Sequence, residues 1–336
     1  MEQELYLHHH IIVNAGQTPT RIDTYISKKL ENISRTQVEK AAKAGLIIVN
    51  DVAVKASYKV KPNDDIKIMM HKPKKELKII AEDIPLNIVY EDDDLIVINK
   101  EAGMVVHPAY GHYTGTLVNA LASHITDSEF DDEDDLRPGL VHRIDKDTSG
   151  LLVIAKNENT KRHLANQFFE HTTYRRYLAL VWGDFEEDEG IIVGNIGRNP
   201  KNRQLMYVFP PDGELGKPAV THYKVIERFT FVTLVECRLE TGRTHQIRVH
   251  MKYIGHPLFN DASYGGDTIL KGTTFTKYKQ FVQNCFKICP RQALHAKSLG
   301  FVHPTSGEKM KFETELPDDM SQLIEKWRKY VETMKI

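Results

Sequence analysis

Residues 140 to 155 read LVHRIDKDTSGLLVIA. A short apolar strand, Leu140 and Val141, runs into a polar loop carrying His142, Arg143, Asp145, Lys146, Asp147, Thr148 and Ser149, and Gly150 returns the chain to a second apolar run, Leu151 to Ala155. Two strands of buried character around a dense polar loop put a carboxylate beside cations at the rim of a sheet, where a rigid scaffold can hold a catalytic acid. A solvated connection between core strands has the same composition. The flanking sequence decides between them.

Downstream, Leu164, Phe168 and His171 share one face of a helix ending near His171. TYRRYLALVW, residues 173 to 182, has strand composition and sets Tyr177, Ala179 and Val181 on one face. GRNPKNRQLMY, residues 197 to 207, carries Arg198, Lys201 and Arg203 around a turn, which suits a basic hairpin touching a nucleic-acid backbone. Val220 to Glu227 and Phe231 to Leu239 form another antiparallel pair. In TGRTHQIRVHMKYIGHP, residues 241 to 257, Ile247, Met251 and Ile254 repeat at helical spacing. A helix therefore starts near Thr244 and shows Arg243, His245, Arg248 and His250 on its first turns. The macrodipole opposes cations at a helix N-terminus, so an arginine placed there calls for a specific anionic partner. Two strands around the Pro304 to Gly307 turn and an amphipathic helix marked by Leu323, Trp327, Tyr330 and Met334 complete the C-terminal part.

Upstream, Leu86 to Tyr90 and Leu95 to Ile98 are strands around an acidic turn, leading to NKEAGMVVHP. Thr116 to His124 is helical, and residues 127 to 135, with seven acids and no base, read as a mobile acidic loop. Nearer the N-terminus, a polar leader gives way to Ile22, Tyr25, Ile26 and Leu30 at helical spacing. Ser34 and Gln37 form a capping box for a second helix, which Gly45 ends. Short strands follow at Leu46 to Val49, Val52 to Val54 and Ile66 to Met70. Residues 20 to 75 hold 13 Lys or Arg against 6 Asp or Glu, and Lys28, Lys29, Arg35, Lys40 and Lys43 crowd the helical part as a phosphate-contacting face does. The charged stretch Lys72 to Lys78 marks a boundary, giving an N-terminal domain over 1–75 (core 20–70), a linker over 76–85 and a larger domain over 86–336.

At 336 residues two domains are expected. A net charge of -1 excludes a uniformly basic nucleic-acid binder and points to segregated charge. No apolar run spans a bilayer and no signal peptide is visible, so the expectation is a cytoplasmic protein without membrane contact. Cys237, Cys285 and Cys289 are too few for a disulfide framework, and Cys285, Cys289 and His295 lack the spacing of a zinc site. No glycine-rich phosphate loop and no cofactor fingerprint appears.

HRIDKDTSG at 142–150, RRYLALV at 175–181 and TGRTHQIRVH at 241–250 resemble, in order, the three signature motifs of the RluA-type pseudouridine synthases. NKEAGMVVHP, GKPAVTHY at 216–223 and LHAKSLGFVHPTSGE at 294–308 agree with the weaker flanking motifs, so the likeness spans nearly all of residues 86 to 315. RIDTYISKKL, ISRTQVEKAAKAGLIIVN and VKPNDDI resemble the RNA-binding module named after ribosomal protein S4. Together they resemble the large-subunit ribosomal RNA branch of the family. Glu101, Ile144 and Arg176 depart from the usual proline, leucine and lysine without removing a reacting group.

The resemblance implies an α+β fold: a small helical and β RNA-binding module, then a catalytic domain with a mixed, largely antiparallel sheet and flanking helices. It implies isomerisation of uridine to pseudouridine within RNA, without a cofactor, by a protein expected to be monomeric. Asp145 matches the catalytic aspartate, Arg248 the arginine that pairs with it, and Tyr177 the tyrosine that stacks on the uracil. Arg143 matches the residue that fills the gap left by a flipped nucleotide. His142 and Arg243 are expected on the RNA beside it, with Arg35 and Lys40 contacting RNA from the N-terminal module. Two rival readings are a metal-dependent phosphoryl hydrolase, with Asp145 and Asp147 on one face of an extended strand, and an RNA-binding or assembly protein whose catalytic residues are idle.

Overall fold

The computed structural model describes residues 5–30, 33–71, 79–108, 113–125 and 139–334. The chain divides into two compact units, Met1–Glu76 and Leu77–Ile336. The acidic loop and the whole Lys72 to Lys78 boundary stretch lie outside the described residues. Among those described, no helix is long and apolar enough to cross a membrane.

The first unit runs β1 (Leu5–Ile12), α1 (Ile22–Lys29), α2 (Arg35–Lys43), β2 (Ile47–Val49), β3 (Val52–Ala53) and β4 (Asp65–His71). Its antiparallel sheet has the order β1-β4-β2-β3. Ile22 and Ile26 of α1 and Val38 of α2 pack on Ile47, Val49 and Ile66. The capping box forms as expected: Ser34 Oγ accepts from Gln37 N–H and the Gln37 side chain accepts from Ser34 N–H. β1 corrects the reading of the N-terminus as a leader. Of its residues only Ile11 is buried, so this edge strand has no inward apolar face to betray it and is defined by its ladder with β4.

The second unit runs β5 (Ile88–Glu91), β6 (Leu95–Lys100), α3 (Leu117–His124), β7 (Ser149–Ala155), α4 (Glu158–Phe169), β8 (Tyr174–Trp182), β9 (Glu189–Arg198), β10 (Met206–Phe209), β11 (Lys217–Arg228), β12 (Val232–Leu239), α5 (Gln246–Tyr253), α6 (Thr276–Ile288), β13 (Leu294–Val302), β14 (Lys309–Glu313) and α7 (Asp318–Met334). One ten-stranded sheet has the order β10-β9-β11-β12-β8-β13-β7-β6-β5, with β14 paired to β13. Only β13 and β7 run parallel, so the sheet is mixed and largely antiparallel. β8 lies between two cores. Tyr177, Ala179 and Val181 face one with Ile247 and Met251 of α5, and Leu178, Leu180 and Trp182 face the other under α6 and α7. A one-residue slip would exchange these faces, so the alternation sets the side on which Tyr177 emerges.

Two local expectations need correction, and one element is new. Leu140 and Val141 do not form a strand; Leu140 makes an isolated bridge to Ile154. α5 starts at Gln246, because His245 before it turns left-handed at φ 55°. Helix α6 is an additional element, burying Tyr278, Val282 and Cys285.

Candidate active site

The parallel pairing of β7 with β13 places the central loop. Ala296 on β13 is opposite both Gly150 on β7 and Tyr177 on β8, so the residues just before Gly150 arrive beside Tyr177. Gly150 has φ +116°, and a Cβ there would stand 2.3 Å from the Ala296 carbonyl oxygen. Only glycine permits so close an approach at that backbone angle. Two buried cations pin the loop from behind. Lys100 Nζ donates to the carbonyls of Glu101, Met104 and Lys146 at 2.6, 2.9 and 2.9 Å, and Arg291 Nη1 donates to the Asp147 carbonyl at 2.9 Å. Burial lowers the Lys100 ammonium to about 7. Its three carbonyl acceptors use all three protons of the charged form, which favours that form locally.

In front of the loop lies a cavity of about 410 Å³ lined by Asp145, Tyr177 and Arg248 and by Arg143, His142 and Arg243. Arg248 is the hub. Its Nε and Nη2 donate to Asp261 at 2.7 and 2.8 Å, and its Nη1 donates to Asp145 Oδ2 at 3.0 Å. The anionic partner demanded by the helix dipole is thus two carboxylates. Burial opposes the Arg248 charge, but Asp261 and then Asp145 outweigh it and hold the guanidinium above its ordinary value. Asp261 also accepts the backbone N–H groups of Ser263 and Tyr264 at 3.1 and 3.3 Å. Asp145 keeps Oδ1 free of hydrogen bonds among the described residues, 4.0 Å from His245 Nε2.

His245 explains its backbone angle. Its Nδ1 lies 2.9 Å from the Tyr264 hydroxyl, whose oxygen accepts Met206 N–H at 3.0 Å. Tyr264 then has its own proton for Nδ1, which assigns the ring proton to Nε2, facing Asp145. Burial lowers His245 below its ordinary value and favours that neutral ring. Burial likewise raises the Tyr177 hydroxyl, keeping it protonated at neutral pH.

The remaining expected residues divide. Arg143 is exposed at the rim, and Arg243 Nε donates to the Pro218 carbonyl at 3.1 Å. His142 is a wall: its ring stacks on Phe168 at 4.3 Å and its Nε2 accepts Val153 N–H at 3.0 Å, with burial lowering it to about 3. In the first unit Arg35 donates to Asp23 at 3.1 Å, while Lys40 is exposed. Asp261, Lys100 and Arg291 are missing from the sequence reading. No motif marks Asp261, which reaches Arg248 from the loop after α5.

Asp145 and Asp147 do not share a strand face, because the chain turns at residues 146 and 147 and Thr148 N–H closes on the Asp145 carbonyl at 3.1 Å. Among the described residues the one group of three side chains with metal-ligating atoms together is Asp92, Asp94 and His303. There His303 Nδ1 accepts the N–H groups of Thr305 and Ser306, so Nε2 carries the proton and donates to Asp92 at 2.9 Å.

Comparison with known proteins identifies the family. Residues 94–253 match the model of the RNA pseudouridylate synthase family, and residues 20–66 match the S4 domain. The chain is similar to the RNA pseudouridine synthase YlyB of Bacillus subtilis, with 48% identity covering 95% of this chain and 98% of that one. It is also similar to the ribosomal large subunit pseudouridine synthase D of Nitrosomonas europaea, with 42% identity covering 91% of this chain and 83% of its relative. Among solved structures it resembles human RNA pseudouridylate synthase domain containing 1, with TM-score 0.51 and 27% identity over 74% of this chain and 96% of that one. With its motifs on the wall of one cavity and its relatives matched over nearly their whole length, the chain belongs to the RNA pseudouridine synthases, isomerases of uridine in RNA, and carries an S4 domain ahead of the synthase fold.

Proposed function

We propose that the substrate is large-subunit ribosomal RNA and that Asp145 is the reacting carboxylate. The observation that supports the second statement is the asymmetry of Asp145: Oδ2 is held by a buried guanidinium while Oδ1 faces the cavity. A carboxylate paired with Arg248 through one oxygen and free on the other can act as a nucleophile on the ribose or the uracil, or as a base at the sugar. Tyr177 stacks on the uracil and moves a proton when the ring re-aromatises after the carbon-carbon bond forms. A base stacked within a helix cannot reach Asp145, so the target uridine is extruded into the cavity. Arg143, exposed at the rim, occupies the space it leaves.

The ribosomal substrate is supported by the relatives named ribosomal large subunit pseudouridine synthase and by the S4 domain. The N-terminal domain, residues 1–75, adds backbone affinity through Lys40 and its neighbours, and the tether raises the local concentration of the correct RNA. The enzyme works as a monomer in the cytoplasm, where ribosomal subunits assemble and free thiols persist. Mapping pseudouridines in ribosomal RNA from cells with and without the protein tests this reading. One or more large-subunit positions should revert to uridine in its absence; an unchanged map excludes ribosomal RNA as substrate.

A further inference from the structure

Three arginines of the described chain are buried, and two hold an aspartate in a bidentate pair: Arg248 with Asp261 and Arg291 with Asp319. The third has no carboxylate. Arg175 is 7% exposed, yet its Nε and Nη2 are sealed from solvent and have no hydrogen-bond partner. The Phe168 ring lies under it, 5.5 Å from Cζ to the centroid. A face of phenylalanine offsets only a small part of what it costs to strip water from a guanidinium. Burial accordingly weakens its hold on the proton.

Arg175 lies on β8 two residues before Tyr177 and lines the catalytic cavity. Nη1 reaches that cavity beside Gly242, where a Cβ would stand 3.1 Å from it. Among the described residues the cavity wall carries four arginines against one carboxylate, Asp145, and Arg248 already occupies that carboxylate. A bound ligand can supply the anion that these residues do not. Within a uridine of RNA the only full anion is the phosphodiester; the uracil oxygens are neutral and leave the charge uncompensated.

Resting on the reading of this cavity as the uridine site, we propose that Arg175 is a phosphate receptor, its Nη1 edge binding a non-bridging oxygen next to the flipped nucleotide through the gap left by Gly242. The contact commits the backbone to one position and so fixes how deeply the base enters beside Tyr177. An unpaired buried cation in the free protein is then a site kept ready for the RNA, and the stability it forfeits returns on binding.

The test measures the affinity of the full-length protein for a synthetic hairpin carrying the mapped uridine, with the phosphates around it native or replaced one at a time by neutral methylphosphonate. Arg175→Met should weaken binding to native RNA by about tenfold or more. At one phosphate, methylphosphonate should weaken wild type by a similar factor and add nothing to the variant. Gly242→Ala should weaken binding in the same phosphate-dependent way. Arg175→Met should also melt no lower than wild type, since it removes a buried charge with no partner to strand. Additive losses at every phosphate, or a melting temperature lowered by more than about 5 °C, would overturn the proposal. A wild-type protein that binds with this phosphate dependence but forms no pseudouridine would refute the proposed function and leave the receptor standing.

Discussion

Asp23 and Asp145 are each held by arginine, in opposite senses. In the N-terminal unit the carboxylate is the buried partner: the Asp23 side chain is 0% exposed, against 47% for Arg21 and 54% for Arg35. Arg21, Arg35 and the Thr24 N–H and hydroxyl saturate its oxygens. Arg21 above all, with Arg35 and Thr24, holds its carboxyl well below the usual range despite burial. In the synthase unit the arginine is the buried partner, 7% exposed against 18% for Asp145, and among the described residues the Asp145 carboxylate receives one hydrogen bond. A saturated carboxylate anchors a fold; one with a free oxygen toward a cavity can react.

The comparison breaks first at Arg248. Arg248→Met should cut the single-turnover rate at saturating enzyme by at least about a hundredfold, the effect of losing a few kcal/mol of charge stabilisation. RNA affinity should fall far less. A near-normal rate with much weaker binding would show that Arg248 reads the RNA backbone. Lys100→Met comes next: it leaves the Glu101 and Met104 carbonyls without a donor and Lys146 with only the Gly103 N–H, loosens the Asp145 loop, and should cost about 3 kcal/mol in denaturant unfolding. Unchanged stability would mean that the loop is held elsewhere.

Acid should separate the two units. His250 and His295 of the synthase unit are buried, each with Nδ1 near a hydroxyl, and burial lowers both to about 4. A base whose pKa is lowered on folding leaves stability complete above its ordinary 6.5 and erodes it as pH falls toward the folded value. The loss is about 1.4 kcal/mol per pH unit for each imidazole. Asp23, lowered from 3.8, contributes stability that is lost only below that pH. Both tryptophans, Trp182 and Trp327, lie in the synthase unit, so their fluorescence follows it alone. Denaturation midpoints by tryptophan emission should start to drop between pH 6.5 and 5; a flat response would show that the two imidazoles accept protons in the fold. The smallest effect is expected at Arg35. Because Arg21 still covers Asp23 and Arg35 is largely solvated, Arg35→Met should cost below about 1 kcal/mol, measured by circular dichroism in denaturant.

Legibility followed the range of the interaction. The alternation of β8 and the Ser34 capping box are local, and both form as the residues suggest. The need for an anion near Arg248 was visible from its place at a helix start, but the identity of Asp261, thirteen residues on, depends on how the following loop folds back. Lys100 and Arg291 reach the central loop from 46 and 144 residues away, so no window of sequence contains them together with what they hold. β1 was hidden for the opposite reason, having almost no buried face of its own. Helix α6 carries a legible stripe in Tyr278, Val282 and Cys285.

The most direct measurement is single-turnover pseudouridine formation by Asp145→Asn at saturating protein, with RNA affinity measured in parallel. The change keeps the side-chain shape and removes the charge that Arg248 holds. The rate should fall by at least about a thousandfold, the scale of losing a covalent or proton-transfer route, while affinity stays within a few fold of wild type. An Asn variant that converts uridine at a comparable rate would contradict the assignment of Asp145 as the reacting group.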